Sequence, residues 1–319
     1  MNHAIAASKQ QLLPHKTGFT AENIPDLTGR VVIVTGGSTG IGKATVEPLL
    51  RRNAKVYMAT RTKSRAEEAI RELRERTGKD AIFLELDLSS LESVQKAAHT
   101  FLSQETELHI LFNNAGIMPD ASMIDQLTAD GYDLQYGTHV LGHFFFQELL
   151  LPALTTGALS SPDKHSRIVT TSSSLAHMFT VRFDSFKDGP GRRKLSITEL
   201  YAQSKFLNGV IAHEASFRYA EKGILSFSVD PGAVRTDIFR DKSSIFKSMT
   251  NLFFVSPSQG ALSQLWSGTM PEAVEHNGQY IVPWAHAGKC RDEMYDRGVG
   301  EQVWNILSEQ VKDFQTRST

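Results

Sequence analysis

Tyr201 and Lys205 stand four residues apart in "LYAQSKF" (200–206). On a helix that spacing brings both side chains to one face. A free phenol titrates near pH 10 and offers little phenolate at neutral pH. A nearby ammonium favours the charged form, and lowering the phenol by about 2 units corresponds to about 2.7 kcal/mol of differential stabilisation. So tuned, Tyr201 would donate a proton to a carbonyl or take one from an alcohol. On a solvated helix the same pair would be an ordinary surface contact worth a few tenths of a kcal/mol. A cofactor, a partner hydroxyl and a substrate pocket decide between the two readings.

The cofactor signal lies in "VVIVTGGSTGIGKAT" (31–45). A β-branched run enters Gly36, Gly40 and Gly42, and a helical pattern follows. Glycines permit the tight turn and a close backbone approach to a pyrophosphate, which the free N–H groups of the next helix can bind. The stretch from Gly37 to Lys43 also approaches a triphosphate-binding loop, with Asp87 as its acidic residue. Ala44 stands where that loop needs a hydroxyl for Mg²⁺, and Thr45 is one place out of register.

Further apolar runs occur at 54–60, 81–86, 109–113, 167–172 and 225–229, with another at 278–282. Helical-period stretches separate them, among them 64–77 and 91–104, with charges on one side and aliphatics on the other. Strands that are apolar almost throughout and alternate with helices predict a doubly wound parallel α/β sheet of about seven strands, with helices on both faces. Residues 1–26 are polar and unpatterned, which predicts a surface arm. Residues 27–319 are expected to form one domain, and 300–314 reads as a final amphipathic helix that packs on the domain or helps form a homodimer.

Composition narrows the function classes. With 34 basic and 35 acidic residues and a net charge of −1, the chain has no broad basic field for nucleic acid or an anionic membrane. No apolar run approaches the ~20 residues of a membrane span, and the first sixteen residues lack the apolar centre of a signal peptide. Cys290 is the single cysteine, so no intrachain disulfide forms. The expectation is a cytoplasmic protein acting on a small molecule.

Five motifs occur in order: T-G-x-x-x-G-x-G from Thr35 to Gly42, "LDLSS" (86–90), "NNAG" (113–116), "TSSSLAH" (171–177) with "YAQSK" (201–205), and "DPGAVRTD" (230–237). Together they resemble the single-domain branch of the short-chain dehydrogenase/reductase family, over roughly residues 27–237. The retinol-dehydrogenase-like and WW-domain-oxidoreductase-like group is nearest, judging by "LGHFFF" and "SSLAH". The resemblance implies a Rossmann-type domain and reversible hydride transfer between a nicotinamide cofactor and a carbonyl/alcohol pair. It implies a catalytic set of Ser174, Tyr201 and Lys205, with Ser174 chosen among three consecutive serines because it directly precedes "LAH". Implied cofactor contacts are Gly36, Ser38, Thr39, Gly40, Ile41 and Gly42 in the turn, Asp87 and Leu88 near the adenine, and Asn114, Tyr201, Lys205, Val234 and Thr236 nearer the nicotinamide. The 27-residue gap between Ser174 and Tyr201 exceeds that of the shortest members, and the polar insertion 183–197 reads as a surface excursion.

Two positions set this chain apart. Where an acidic residue at the end of the second strand would favour NAD, the chain has Arg61, followed by Lys63 and Arg65. A guanidinium there suits a 2′-phosphate, so NADP(H) is the expected cofactor. Where the resembled group has a relay asparagine, the chain has His139. An imidazole can hold a water or carry a proton, and it can also merely fill space; the sequence leaves both open. His139 and His143, four apart, hint at a metal, but no third ligand is evident, and in "HEASF" (213–217) Phe217 occupies the place a second zinc histidine would need. No metal is expected. Past Thr236, apolar residues from Ile238 to Phe253 recur at helical spacing, predicting a substrate flap over about 238–256 and a lipophilic or aromatic substrate. Trp266 and Trp284 are candidates for the pocket wall.

Overall fold

The computed structural model describes residues 18–234 and 255–317. Eight strands form one sheet: β1 Val31–Thr35, β2 Lys55–Thr60, β3 Ile82–Glu85, β4 Ile110–Asn113, β5 Ser166–Thr171, β6 Ile224–Val229, β7 Tyr280–Val282 and β8 His286–Gly288. Their spatial order is β3-β2-β1-β4-β5-β6-β7-β8. All neighbours are parallel except β7 and β8, where Ile281 faces Ala287 across an antiparallel pair. This is the doubly wound, Rossmann-type sheet that the alternating pattern predicts. The eighth strand goes beyond that expectation: it has three residues, and a run that short shows no readable alternation.

Residues on β1 divide by parity. Val31 and Ile33 enter one buried apolar cluster, Val32 and Val34 the other, so the sheet has a core on each face. Helices α1 (Gly40–Arg51), α2 (Lys63–Thr77) and α6 (Leu262–Thr269) cover one face, and α3 (Leu91–Leu102), α4 (Gly142–Ser160), α5 (Ile197–Arg218) and α7 (Arg297–Arg317) the other. A π-turn, Gly137–Leu141, leads into α4.

The helix carrying Tyr201 and Lys205 is α5. Ser196 caps it: its hydroxyl accepts from the Glu199 N–H, and the Glu199 carboxylate accepts from the Ser196 N–H, a reciprocal cap worth about 1 kcal/mol. Every residue from Leu200 to Ala212 is buried. The helix is therefore an interior element, which excludes the surface-pair reading of Tyr201 and Lys205. Helix α7 lies along it. Trp304 packs edge-on against Phe144 and Tyr219, Phe314 meets Phe145, and Tyr136 donates to Gln310. The final helix thus packs on its own domain.

Two expectations change, and a third falls outside the described residues. Within the predicted arm, Phe19 and Ile24 are buried in the core beside β1, so residues 18–26 are part of the packed body. The insertion 183–197 is docked rather than superficial. Phe186 stacks on Tyr136 at 4.1 Å between ring centroids, and Arg192 forms a fully buried pair with Asp133 at 2.9 Å. Gln203 accepts from the Arg182 N–H at 2.7 Å, tying the insertion's start to α5. Polar composition is misleading here because the polar groups are satisfied internally. The flap over about 238–256 lies almost wholly outside the described residues; Val255 rejoins the fold by donating to the Ala233 carbonyl at 2.8 Å. Among the described residues no helix is long and apolar enough to cross a membrane.

Candidate active site

A cavity of about 340 Å³ opens at the carboxyl ends of β1, β4, β5 and β6, where the chain's direction across the sheet reverses. The glycine turn forms one wall. Gly36 and Gly40 have φ of 67° and 53°, which favour glycine. At Gly42 the demand is one of space: a Cβ would lie 2.2 Å from the Gly36 carbonyl oxygen and 2.7 Å from Asn114 Nδ2. Asn114 holds the turn in register, donating from Nδ2 to the Thr35 carbonyl at 2.8 Å while its N–H reaches the Thr35 hydroxyl at 2.9 Å. Thr39 and Ile41 also line the cavity.

The opposite wall carries the polar side chains. Ser172, Ser173, Ser174, Tyr201 and Lys205 all line it. The three serines have different surroundings. The Ser172 hydroxyl turns away to donate to the Lys205 carbonyl at 2.7 Å. The Ser173 hydroxyl accepts from the Leu175 N–H at 3.2 Å, capping the short turn that follows. Tyr280, from β7, donates to the Ser173 carbonyl at 3.0 Å and fixes that residue's backbone. Ser174 opens a short 3-10 turn past the strand end. Ser173 and the expected Ser174 both line the cavity with Tyr201, and the Ser173 hydroxyl favours ionisation of the phenol.

Lys205 Nζ lies 5.8 Å from the Tyr201 ring centroid and donates to the Thr171 carbonyl at 3.1 Å, a carbonyl that also accepts from Asn208 Nδ2 at 3.0 Å. Burial governs both titrations. It pushes Lys205 down to about 7 and the Tyr201 phenol up to about 12, with the Ser173 contact pulling the phenol down and the Asp230 charge pushing it up. The expected lowering of Tyr201 is not what this pocket produces by itself: burial, the largest influence, disfavours the phenolate. A neutral phenol is the form that can donate a proton to a carbonyl.

His139 is fully buried on the π-turn, and both its ring nitrogens are engaged: Nε2 with the Ile117 N–H at 2.8 Å and Nδ1 with Ser204 Oγ at 2.8 Å. Neither nitrogen is left to hold a relay water. His143 likewise joins the His139 carbonyl and the Thr35 hydroxyl. Among the described residues no group of three or more His, Cys, Asp or Glu is placed to hold a metal ion.

A second cluster lies at the ends of β2 and β3. Arg61 approaches Asp87 at 4.0 Å, and the Ser38 hydroxyl lies 3.4 Å from that of Thr60. Asp87 accepts from the Ser89 N–H and hydroxyl, and Leu88 is buried with its backbone against Gly142. Val234 lines the cavity, while Thr236 and the apolar residues from Ile238 to Phe253 lie outside the described residues. Trp266 is buried away from the cavity beside His276, whereas Trp284 comes close to Gly232 at the cavity's edge. Sequence reasoning misses Thr35, Asn208 and Tyr280, whose partners lie far off in the chain and leave no local signal.

The comparisons with known proteins agree with this geometry. The family model described as short chain dehydrogenase matches residues 30–186. A protein of Armillaria gallica named short-chain dehydrogenase/reductase is 50% identical over 304 residues, covering 95% of this chain and 97% of that one. Mouse retinol dehydrogenase 11 is 37% identical over 256 residues, covering 78% of this chain and 76% of the mouse protein. A crystal structure of an uncharacterised protein from Mycobacterium paratuberculosis superimposes with a TM-score of 0.70 at 26% identity, covering 93% of this chain and 98% of that one. On the relatives that span nearly its whole length, the chain belongs to the short-chain dehydrogenase/reductase family of oxidoreductases.

Proposed function

We propose that this oxidoreductase interconverts a carbonyl and an alcohol with NADP(H), through Ser173, Tyr201 and Lys205. One observation carries the reading. A buried phenol, an amine one helical turn on and a run of serines share a cavity with the glycine turn. When bound, the cofactor supplies or accepts the hydride. The free N–H groups at the start of α1 fit its pyrophosphate, and Gly42 leaves the space that a close backbone approach requires. In carbonyl reduction Ser173 holds the substrate oxygen by a hydrogen bond and Tyr201 donates its phenolic proton to that oxygen as the C–H bond forms. Lys205 in its ammonium form stabilises the phenolate left behind, and alcohol oxidation runs the same transfer backwards.

Arg61 supports NADP(H) over NAD(H). Its side chain is 71% exposed at the end of β2, free to turn a guanidinium toward a 2′-phosphate. Met118, Leu175, Ala233 and Val234 give the cavity an apolar rim, which suits a lipophilic or aromatic substrate. The buried, single Cys290 fits a reducing, cytoplasmic setting.

Tyr201→Phe removes only the hydroxyl. Turnover of NADPH with a panel of aldehydes, ketones and quinones should fall by about 10³-fold, while NADPH binding, read by fluorescence titration, stays unchanged. Equal rates in the two proteins would overturn the assignment. A wild-type protein that binds NADPH yet turns over none of the panel would point to a dinucleotide sensor instead.

A further inference from the structure

We infer that His139 is a positioning residue: with its proton on Nδ1, its imidazole clamps the end of the β4 loop to the helix that carries Tyr201 and Lys205, and passes no proton. The inference rests on the oxidoreductase reading for its kinetic consequence but not for the tautomer, which follows from the hydrogen bonds alone.

The Ile117 N–H points at Nε2 from 2.8 Å, so that nitrogen must present a lone pair. Ser204 gives its own hydroxyl proton to the Tyr201 carbonyl at 2.7 Å, so its oxygen receives the proton on Nδ1 at 2.8 Å. Two independent partners thus choose the same neutral form. Moving the proton to Nε2 would set two donors against each other at Ile117 and leave Ser204 unmatched at the other nitrogen.

The surroundings oppose a second charge. A Cβ built on Gly116 would lie 3.4 Å from both His139 Nε2 and Lys205 Nζ, so the imidazole and the amine flank the same glycine. From α5, Lys205 and the edge of the Tyr201 ring, 5.7 Å between ring centroids, face His139. From its own helix His143 does, donating from Nδ1 to the His139 carbonyl at 3.0 Å. Burial and the Lys205 charge both hold His139 well below the ordinary histidine range.

The clamp has a consequence for the chemistry. Ile117 follows Gly116 and precedes Met118, which both line the cavity, and Ser204 lies between Tyr201 and Lys205 on α5. One ring therefore fixes the spacing between the floor of the cleft and the proton donor's helix. A shift of about 1 Å in such a spacing can cost about 10²-fold in rate.

The test uses the full chain. Imidazole ¹⁵N spectra of the wild type, free and with NADP⁺, should show His139 with a protonated Nδ1 and a bare Nε2, unchanged from about pH 5.5 to 8.5, the span in which an ordinary histidine titrates. In NADPH-dependent reduction of an aromatic aldehyde, His139→Gln, which can still present an acceptor to Ile117, should keep kcat within about 5-fold. His139→Leu, similar in bulk but without an acceptor, should lose about 30-fold or more. The pH–rate curves of all three should be parallel. A protonated or titrating Nε2, a leucine variant as fast as wild type, or a pH limb that vanishes in His139→Gln would each overturn the clamp. If the leucine variant fails to fold, the spectra and the glutamine variant's pH curve still decide. A wild type without turnover would sink the oxidoreductase reading alone, since the spectra decide the tautomer independently.

Discussion

Two arginine–aspartate pairs in this fold differ in almost everything but composition. Arg192 and Asp133 meet at 2.9 Å with side chains 3% and 2% exposed, and Arg192 also donates to the carbonyls of Ile124 and Gln126. Arg61 and Asp87 come only within 4.0 Å, with side chains 71% and 33% exposed. The first pair lies in the fold's interior and braces the loop that brings Met118 to the cavity. The second stands in water, where an ion pair contributes at most about 1 kcal/mol and is screened by salt. The contrast extends to the two ends of the site. The end proposed for proton transfer is buried and held by hydrogen bonds to backbone carbonyls, so its geometry exists before any ligand arrives. The end assigned to cofactor choice is an exposed cation on a strand terminus, adjustable at little cost to the fold.

Substitutions can break or sharpen that contrast. The largest effect should come from Arg192→Ala, which strands the Asp133 charge in the interior. A loss of about 3–5 kcal/mol in urea unfolding is expected, whereas Arg61→Ala should leave the midpoint nearly unchanged. Equal losses would erase the distinction between the pairs. Next, Ser173→Ala should lower kcat by about 10²-fold through loss of the hydrogen bond to the reacting oxygen. Ser174→Ala should stay within about 3-fold, so the reverse ranking would restore the serine expected from the sequence.

Lys205 gives a pH effect whose sign follows from its burial. Its folded value of about 7 lies below the ordinary 10.5, so between these limits the unfolded chain holds more protons and stability rises with pH. From pH 7 to 9 the rise should amount to about 2 kcal/mol in the wild type and be absent in Lys205→Met, as followed by chemical denaturation at each pH. Parallel curves would show that Lys205 stays charged in the fold. The smallest effect belongs to the exposed end. Arg61→Glu should lower the preference for NADPH over NADH by about 10-fold, the loss of one charge-assisted contact, and the preference should shrink as salt is raised. A salt-independent preference would place the discriminating group elsewhere.

How much of this is legible in the sequence depends on the range of the interactions involved. The strands β1 and β4 announce themselves, because a strand buried on both faces is apolar nearly throughout, and Gly36, Gly40 and Gly42 mark the turn through backbone demands that only glycine meets. The 201/205 spacing by itself puts both side chains on one helical face. Burial of that face is not legible, since α5 mixes Gln203, Ser204, Lys205 and Asn208 with its apolar residues and these polar groups find partners far away in the chain. Which of three adjacent hydroxyls serves Tyr201 is not legible for a related reason: it depends on the angle between β5 and α5. The docked insertion is misread because Arg192 looks solvated until Asp133, about sixty residues earlier, is brought beside it. His139 stands out as a departure, but its tautomer depends on Ile117 and Ser204, which no local pattern connects.

Helix α5, buried along its length from Leu200 to Ala212, sets how this protein can fail. A phenol mounted on a surface helix can lose its aim through local fraying while the rest of the molecule stays folded. Here the mount is also a structural beam, flanked by the sheet on one side and α7 on the other. Heat or denaturant cannot release the tyrosine without opening the core, so inactivation and global melting become a single event.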